Sequence, residues 1–316
     1  MERRTFLEKT VLSGLALSAY PYIESLGITI DPAKKIEKRK LGKTGERLSI
    51  IGFGGILVMN EQAPTAADLV AKAIDLGINY FDVAPSYGNA EDMLGPAFAP
   101  YRKKNFLACK TQKRTKDEAE KEMAESFKKL KTDYFDLYQL HALSSVEEVE
   151  KVFASGGAME AIVKAKKDGK IKYIGFSAHS QEAALLAMEK FDFDTILLPI
   201  NFVCWHQGDF GPKAIEKARE KGMGILALKA MAHTKAHEGD VKPEKVWYIP
   251  IDDMHIAELS LRFTLSQGVT AAIPPGNAAY WWKAIEIAQN LKPLSNAELQ
   301  EIVQLSTKVE PLFSAK

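Results

Sequence analysis

The sequence is poor in cysteine, in surplus charge and in long apolar runs, and each shortage removes a class of protein. Only two cysteines, Cys109 and Cys204, occur in 316 residues. They can close at most one disulfide and exclude a cysteine-built metal cluster. With 42 basic and 41 acidic side chains the formal net charge is +1, which excludes a nucleic-acid partner held mainly by electrostatic attraction. No apolar run reaches the ~18 residues of a membrane-spanning helix. Glycine (21) and proline (14) are too sparse for a low-complexity chain. His179, His206, His233, His237 and His255 show no paired spacing with carboxylates, so no metal site is expected. What remains is 46% hydrophobic and 26% charged, an ordinary globular composition with material for a sizeable core.

The N-terminus differs from the rest. A charged start, Glu2-Arg3-Arg4-Thr5-Phe6-Leu7-Glu8-Lys9, turns apolar from Thr10 to Tyr20. That order reads as a signal peptide rather than a membrane span, and Arg3-Arg4-x-Phe6-Leu7 resembles the twin-arginine (Tat) export signal. Cleavage is expected near Ala19. Residues 1–30 are therefore read as signal and lead-in and residues 38–316 as the folded unit, exported to the periplasm by the Tat machinery. The alternative is an uncleaved amphipathic helix on a cytoplasmic protein. Lys34-Lys35 and Lys38-Arg39-Lys40 are expected to be a solvated face.

Beyond the lead-in, eight short apolar runs alternate with helix-length segments. The runs are 49–55, Tyr80–Ala84, Phe106–Lys110, Tyr134–His141, Tyr173–Ser177, Thr195–Ile200, Gly224–Leu228 and Thr270–Ile273. Between two of them, Ala119, Met123, Phe127 and Leu130 fall on one helical face. Other helices are expected over Val149–Lys167, Gln181–Lys190, Pro212–Lys221 and Met254–Ser266, with a helical tail at Asn296–Lys308. Eight strand–helix units predict an α/β (β/α)8 barrel, the TIM barrel, in a single domain. A dinucleotide-binding open sheet is the competitor, because Gly52-Phe53-Gly54-Gly55 follows a strand and Asp82 ends the next. Its third glycine would fall on Leu57, and no helix opens there to hold a pyrophosphate.

Four polar residues lie at or just past strand ends: Asp82, Tyr87, Lys110 and His141. Singly each has a structural reading, as a cap, a solvated end or a core histidine. Together they mark the C-terminal ends of three consecutive strands, the barrel face that carries active sites. A tyrosine with a pKa near ~10 is a poor acid at neutral pH. A nearby ammonium favours its phenolate, and a buried ammonium needs a counter-charge. Asp82 can supply that charge to Lys110, Lys110 can tune Tyr87, and His141 can orient a carbonyl oxygen. The set suits protonation of an oxygen as a carbonyl is reduced.

The strings Asn79-Tyr-Phe-Asp82-Val-Ala-Pro-Ser-Tyr87-Gly88, Leu107-Ala-Cys-Lys110-Thr111 and Asp136-Leu-Tyr-Gln-Leu-His141, in this order, resemble the aldo-keto reductases. Gly169–Ser177, Arg262–Ser266 and Ile273-Pro274 extend the resemblance from about Leu41 to about Leu291. It implies NAD(P)H-dependent interconversion of carbonyls and alcohols on a metal-free barrel, with Asp82, Tyr87, Lys110 and His141 as tetrad and Tyr87 as proton donor. Hydride would come directly from the nicotinamide. The implied cofactor positions are Gly54, Ser177, Asn201, Lys229, Pro274, Gly276 and Asn277. Lys229 would reach the pyrophosphate, and the backbone at Gly276-Asn277 would bind phosphate.

Several positions depart from the family pattern. Ser177-Ala178 replaces a Ser-Asn pair, and Asn201 stands where glutamine is usual. Pro275 and Trp281 take the places of the basic residues that grip an adenosine 2′-phosphate, unless Lys283 reaches it. NADP is the implied cofactor and NAD the alternative. Trp281-Trp282 read as helix packing in preference to an adenine platform. The weakened amide site also leaves open a cofactor-binding, redox-sensing subunit with little turnover. Loops 202–207 and 231–248 should shape the substrate site, and sugars, small aldehydes and keto acids all remain open.

Overall fold

The computed structural model describes residues 27–315. The Arg3-Arg4 signal therefore lies outside the described residues. The strands are β1 (Lys38–Lys40), β2 (Arg47–Ser49), β3 (Phe53–Gly54), β4 (Tyr80–Asp82), β5 (Phe106–Thr111) and β6 (Phe135–Leu143), followed by β7 (Ile171–Ala178), β8 (Thr195–Pro199), β9 (Gly224–Leu228), β10 (Ala232–Lys235), β11 (Tyr248–Pro250) and β12 (Ala271–Ile273). Eight of them, in the order β3-β4-β5-β6-β7-β8-β9-β12, pair in parallel. The ends meet through a parallel bridge between Ile51 and Ala272. There Gly52 N donates to Ala272 O at 2.9 Å and Ala272 N to Ile50 O at 2.8 Å. The result is the expected (β/α)8 barrel and not an open doubly wound sheet.

Alternation within each strand fills the barrel. Leu41, just past β1, and Leu48 of β2 pack with Tyr80, Ala108, Leu137 and Leu226 and plug the N-terminal mouth. Higher on the same inward faces lie Asp82, Lys110 and Gln139, all buried. Strand pleat alone thus aims polar groups at one end of the barrel.

The helices are α1 (Ala63–Asp75), α2 (Ala90–Phe98), α3 (Lys116–Lys129), α4 (Val146–Phe153), α5 (Ala158–Lys167), α6 (Gln181–Lys190), α7 (Phe202–His206), α8 (Pro212–Glu220), α9 (Met254–Ser266), α10 (Ala278–Gln289) and α11 (Asn296–Ser306). The expected face of α3 is real: Ala119 and Met123 are buried and Phe127 stacks on Phe135 at 4.4 Å. The single helix expected over Val149–Lys167 is two. Gly156 adopts φ +73°, and a Cβ on Gly157 would stand 2.4 Å from Val152 O, so the chain turns there. The tail helix α11 starts at a Ser295–Glu298 capping box and is docked by Arg262, whose Nη1 lies 2.7 Å from Glu298 Oε1.

Packing begins earlier than the boundary at 38 read from the sequence. Ile28, Ile30 and Ile36 are core residues. Gln289 of α10 accepts from Asp31 N at 3.0 Å and donates to Asp31 O at 2.7 Å and Lys34 O at 2.6 Å. Lys34, Lys35, Lys38 and Lys40 are exposed as expected, while Arg39 is half-buried and donates to Leu265 O at 2.8 Å. Trp281 and Trp282 are buried, with the Trp281 ring edge-on to Phe53 at 5.7 Å, so they are packing residues. Cys109 and Cys204 are both free and buried.

Candidate active site

Three neighbouring strand ends bring the four expected catalytic residues together. Asp82, the last residue of β4, accepts from Lys110 Nζ of β5 through Oδ1, and from Tyr80 OH at 3.1 Å and Gln139 Nε2 at 3.2 Å through Oδ2. Lys110 also donates to Val83 O at 3.3 Å. Burial alone pulls the Lys110 ammonium down, but Asp82 and Tyr87 more than offset that and the group ends above the ordinary lysine value. It is a permanent cation held by a buried carboxylate.

Tyr87 sits in the turn after β4, where its backbone N donates to Ala84 O at 3.1 Å. Its ring centroid is 5.1 Å from Lys110 Nζ. Burial raises the phenol above its ordinary value, and Lys110 pulls it back only in part. The sequence reading of Lys110 as tuner therefore has the right direction but not the dominant cause. At neutral pH Tyr87 is a protonated phenol facing a fixed positive charge.

His141 owes its place to an irregularity in β6. The β6–β7 register shifts between Leu140 and Leu143, and Ala142 takes φ +55°. Arg114 Nη2 holds His141 O at 2.9 Å, and Ser177 Oγ accepts from Ala142 N at 2.7 Å. The imidazole meets the Tyr87 ring edge-on at 5.7 Å, with Ser86 Oγ 3.4 Å from Nδ1. Burial, followed by the charges of Lys110, His179, Arg114 and Lys229, lowers its pKa to about 2. The ring is neutral, with one donor and one acceptor nitrogen.

These groups open into a cleft of about 460 Å³ lined by Asp82, Tyr87 and His141 together with Gly54, Pro274 and Gly276. Of the other expected cofactor positions, Ser177 and Lys229 also line it. Asn201 and Asn277 cap helices. Asn201 Oδ1 accepts from Cys204 N at 2.8 Å and its Nδ2 donates to Lys229 O at 3.2 Å; Asn277 Oδ1 accepts from Ala279 N at 2.9 Å. Lys283 is engaged as well, donating to Asp252 O at 2.8 Å and to Asp252 Oδ1 at 3.2 Å.

Lys229 is the unusual lining residue. It has φ +66°, and its Nζ lies 5.3 Å from the Trp247 ring centroid and 5.0 Å from that of Tyr248. Burial, then repulsion from Lys110, lowers it to about 8. The β10–β11 hairpin that carries Trp247 and Tyr248 is tied across the cleft by Lys245, which donates to Glu61 Oε1 at 2.6 Å and Leu57 O at 3.1 Å. Tyr80, Gln139 and Lys245 are site residues that the sequence reading missed. Period-2 alternation from His141 back through Gln139, and from Asp82 back to Tyr80, was the available signal for two of them.

The cleft fits a dinucleotide in two respects. A Cβ on Gly276 would stand 2.1 Å from Ile56 Cγ2, so backbone alone forms that rim. The Ser177 oxygen already accepts from Ala142 N, which leaves its hydroxyl proton for a ligand carbonyl.

Comparison with known proteins agrees with the fold. The model of the Aldo/keto reductase family matches residues 50–248. The Bacillus subtilis "Uncharacterized oxidoreductase YqkF" is 26% identical over 306 residues, covering 84% of this chain and 94% of its own. The Arabidopsis thaliana "L-galactose dehydrogenase" is 25% identical over 214 residues, or 63% of this chain and 66% of its own. Among solved structures, the holo form of aldo-keto reductase AKR11C1 from Bacillus halodurans superposes with a TM-score of 0.69. It is 21% identical and covers 89% of this chain and 100% of its own.

Proposed function

The chain belongs to the aldo/keto reductase family, and from that premise we propose that it reduces a carbonyl to an alcohol with Tyr87 as the general acid. As a family member it is an NAD(P)H-dependent oxidoreductase. NADP(H) is the proposed cofactor, to be tested beside NAD(H) because Asp252 already holds Lys283. Gly54, Ser177, Pro274 and Gly276 would hold the dinucleotide, which when bound supplies the hydride.

The residues of the chain do the rest. Neutral His141 presents one N–H to the carbonyl oxygen and directs it toward Tyr87. Tyr87 delivers its phenolic proton to that oxygen as negative charge develops, and Lys110 stabilises the phenolate left behind. Asp82, fixed by Tyr80 and Gln139, keeps Lys110 in place. The observation that carries the proposal is the buried Asp82–Lys110 pair with its ammonium 5.1 Å from the Tyr87 ring. Tyr87→Phe should lower kcat by ~10²-fold or more while cofactor affinity, read by fluorescence titration, changes little. Near-full turnover by this variant on the best carbonyl of a panel would falsify the assignment. Export through Arg3-Arg4 to the periplasm is proposed as well, on the sequence pattern alone.

A further inference from the structure

We propose that the carbonyl substrate of this protein carries an anionic group, a carboxylate in the first instance, received by Lys229. The inference rests on the reductase reading above and names its substrate class. The Lys229 side chain lines the same cleft as Tyr87 and His141. Among the described residues no carboxylate pairs with the Nζ of the half-buried Lys229, while the half-buried Lys245 is matched to Glu61 and the buried cations Lys72, Lys110 and Arg262 to Asp68, Asp82 and Glu298. Its neighbours are the faces of Trp247 and Tyr248, which favour a cation but cannot neutralise it. A desolvated ammonium without a counter-ion is costly in the empty cleft and becomes favourable once an anion enters.

The position of Lys229 assigns that anion to the substrate. It lines one cleft with Tyr87 and His141, close enough that its charge is felt by both His141 and His179 and that it feels Lys110 in return. A separate phosphate receptor is available in the backbone beside Gly276, ahead of the twelve-residue α10.

The surroundings also isolate its titration. His141 and His179 are lowered to about 2 and about 4, Lys110 is raised, and Tyr87 and Tyr248 are raised by burial. Lys229, at about 8, is the group among them that changes charge between neutral and mildly alkaline pH. An anion binds the ammonium, so its affinity should hold below that value and fall as pH rises through it, with proton uptake on binding.

The test compares 4-oxobutanoate with butanal, of equal carbon count, by calorimetry on the full chain with saturating oxidised NADP or NAD. The expected result at neutral pH is a preference for the carboxylate of about 10- to 100-fold. It should shrink above pH ~8, with buffer-dependent heats showing proton uptake. Lys229→Met should reduce the ratio of the two affinities toward one. The wild-type pH series needs no variant and decides the matter if Lys229→Met does not fold. Equal affinities, or a preference that Lys229→Met leaves intact, overturn the inference. So does a loss in the variant confined to cofactor affinity, which would assign the cation to the diphosphate. Reduction of both aldehydes without preference removes this inference and keeps the reductase. Failure of every carbonyl to turn over removes the reductase, whatever the charge preference.

Discussion

At the residue scale the chemistry depends on where a proton rests. Reduction needs Tyr87 protonated and oxidation needs it ionised. Burial holds the phenol above its ordinary value and Lys110 is the group that draws it down. The kcat for reduction should therefore be flat over pH ~6–9, while kcat for alcohol oxidation climbs throughout that range. Neutral His141 adds no acid limb there, since it is lowered to about 2. Lys110→Met removes the downward pull, so the oxidative limb should move to higher pH and kcat should fall by ~10²-fold. The variant also leaves the Asp82 carboxylate buried with two neutral donors, and breaking a buried pair costs ~3–5 kcal/mol. Paired pH–rate profiles and a thermal melt check both halves. A variant whose oxidative limb stays where it is in the wild type would show that Lys110 does not act on Tyr87.

At the element scale, the barrel strands are legible because each is a short, largely apolar run between helix-length segments, and where a run carries a polar residue near its end the pleat decides which way that residue faces. Asp82 and Lys110 follow from this directly, while His141 also depends on the irregularity that follows Leu140 in β6. What stayed hidden are contacts set by tertiary packing. Nothing local in Asn201 or Asn277 announces that its side-chain oxygen caps a helix, as both do. Lys245 reaches Glu61 across 184 positions of sequence, beyond any periodicity argument. The β10–β11 hairpin reads from the sequence as a long loop, because its strands are short and their register slips between Ala232 and Thr234. One position tests how far the rim depends on close packing. A Cβ on Gly276 would meet Ile56 Cγ2 at 2.1 Å and Ile56 Cβ at 2.8 Å. Gly276→Ala should therefore push the β12–α10 turn off the Gly55–Val58 turn and weaken dinucleotide binding by about tenfold, the scale of an overpacking strain of ~1–3 kcal/mol. Adding Ile56→Ala should restore part of that affinity in a fluorescence titration. An undiminished affinity in the single variant would show that the rim yields freely.

At the scale of the whole molecule, the fold limits where an export signal can end. Ile28 and Ile30 are buried, and Thr29 N donates to Glu286 Oε1 at 3.0 Å, so the packed chain is already anchored on α10 at residue 28. Cleavage beyond that point would strip side chains worth roughly 1.5–3 kcal/mol each. Cleavage near Ala19 leaves the packed segment from Ile28 onward whole. A Tat substrate crosses folded, which suits a protein that takes up its dinucleotide before export. Outside the cytoplasm such a cofactor must stay bound and be recycled by pairing a carbonyl reduction with an alcohol oxidation. The prediction joins these constraints. Fractionation should find the wild-type chain outside the cytoplasm, with a mature N-terminus before residue 28 by terminal sequencing and nucleotide still bound. The Arg3→Lys/Arg4→Lys variant should remain inside and uncleaved. Identical distribution of the two ends the export proposal, and an exported form without nucleotide ends the idea of a captive cofactor.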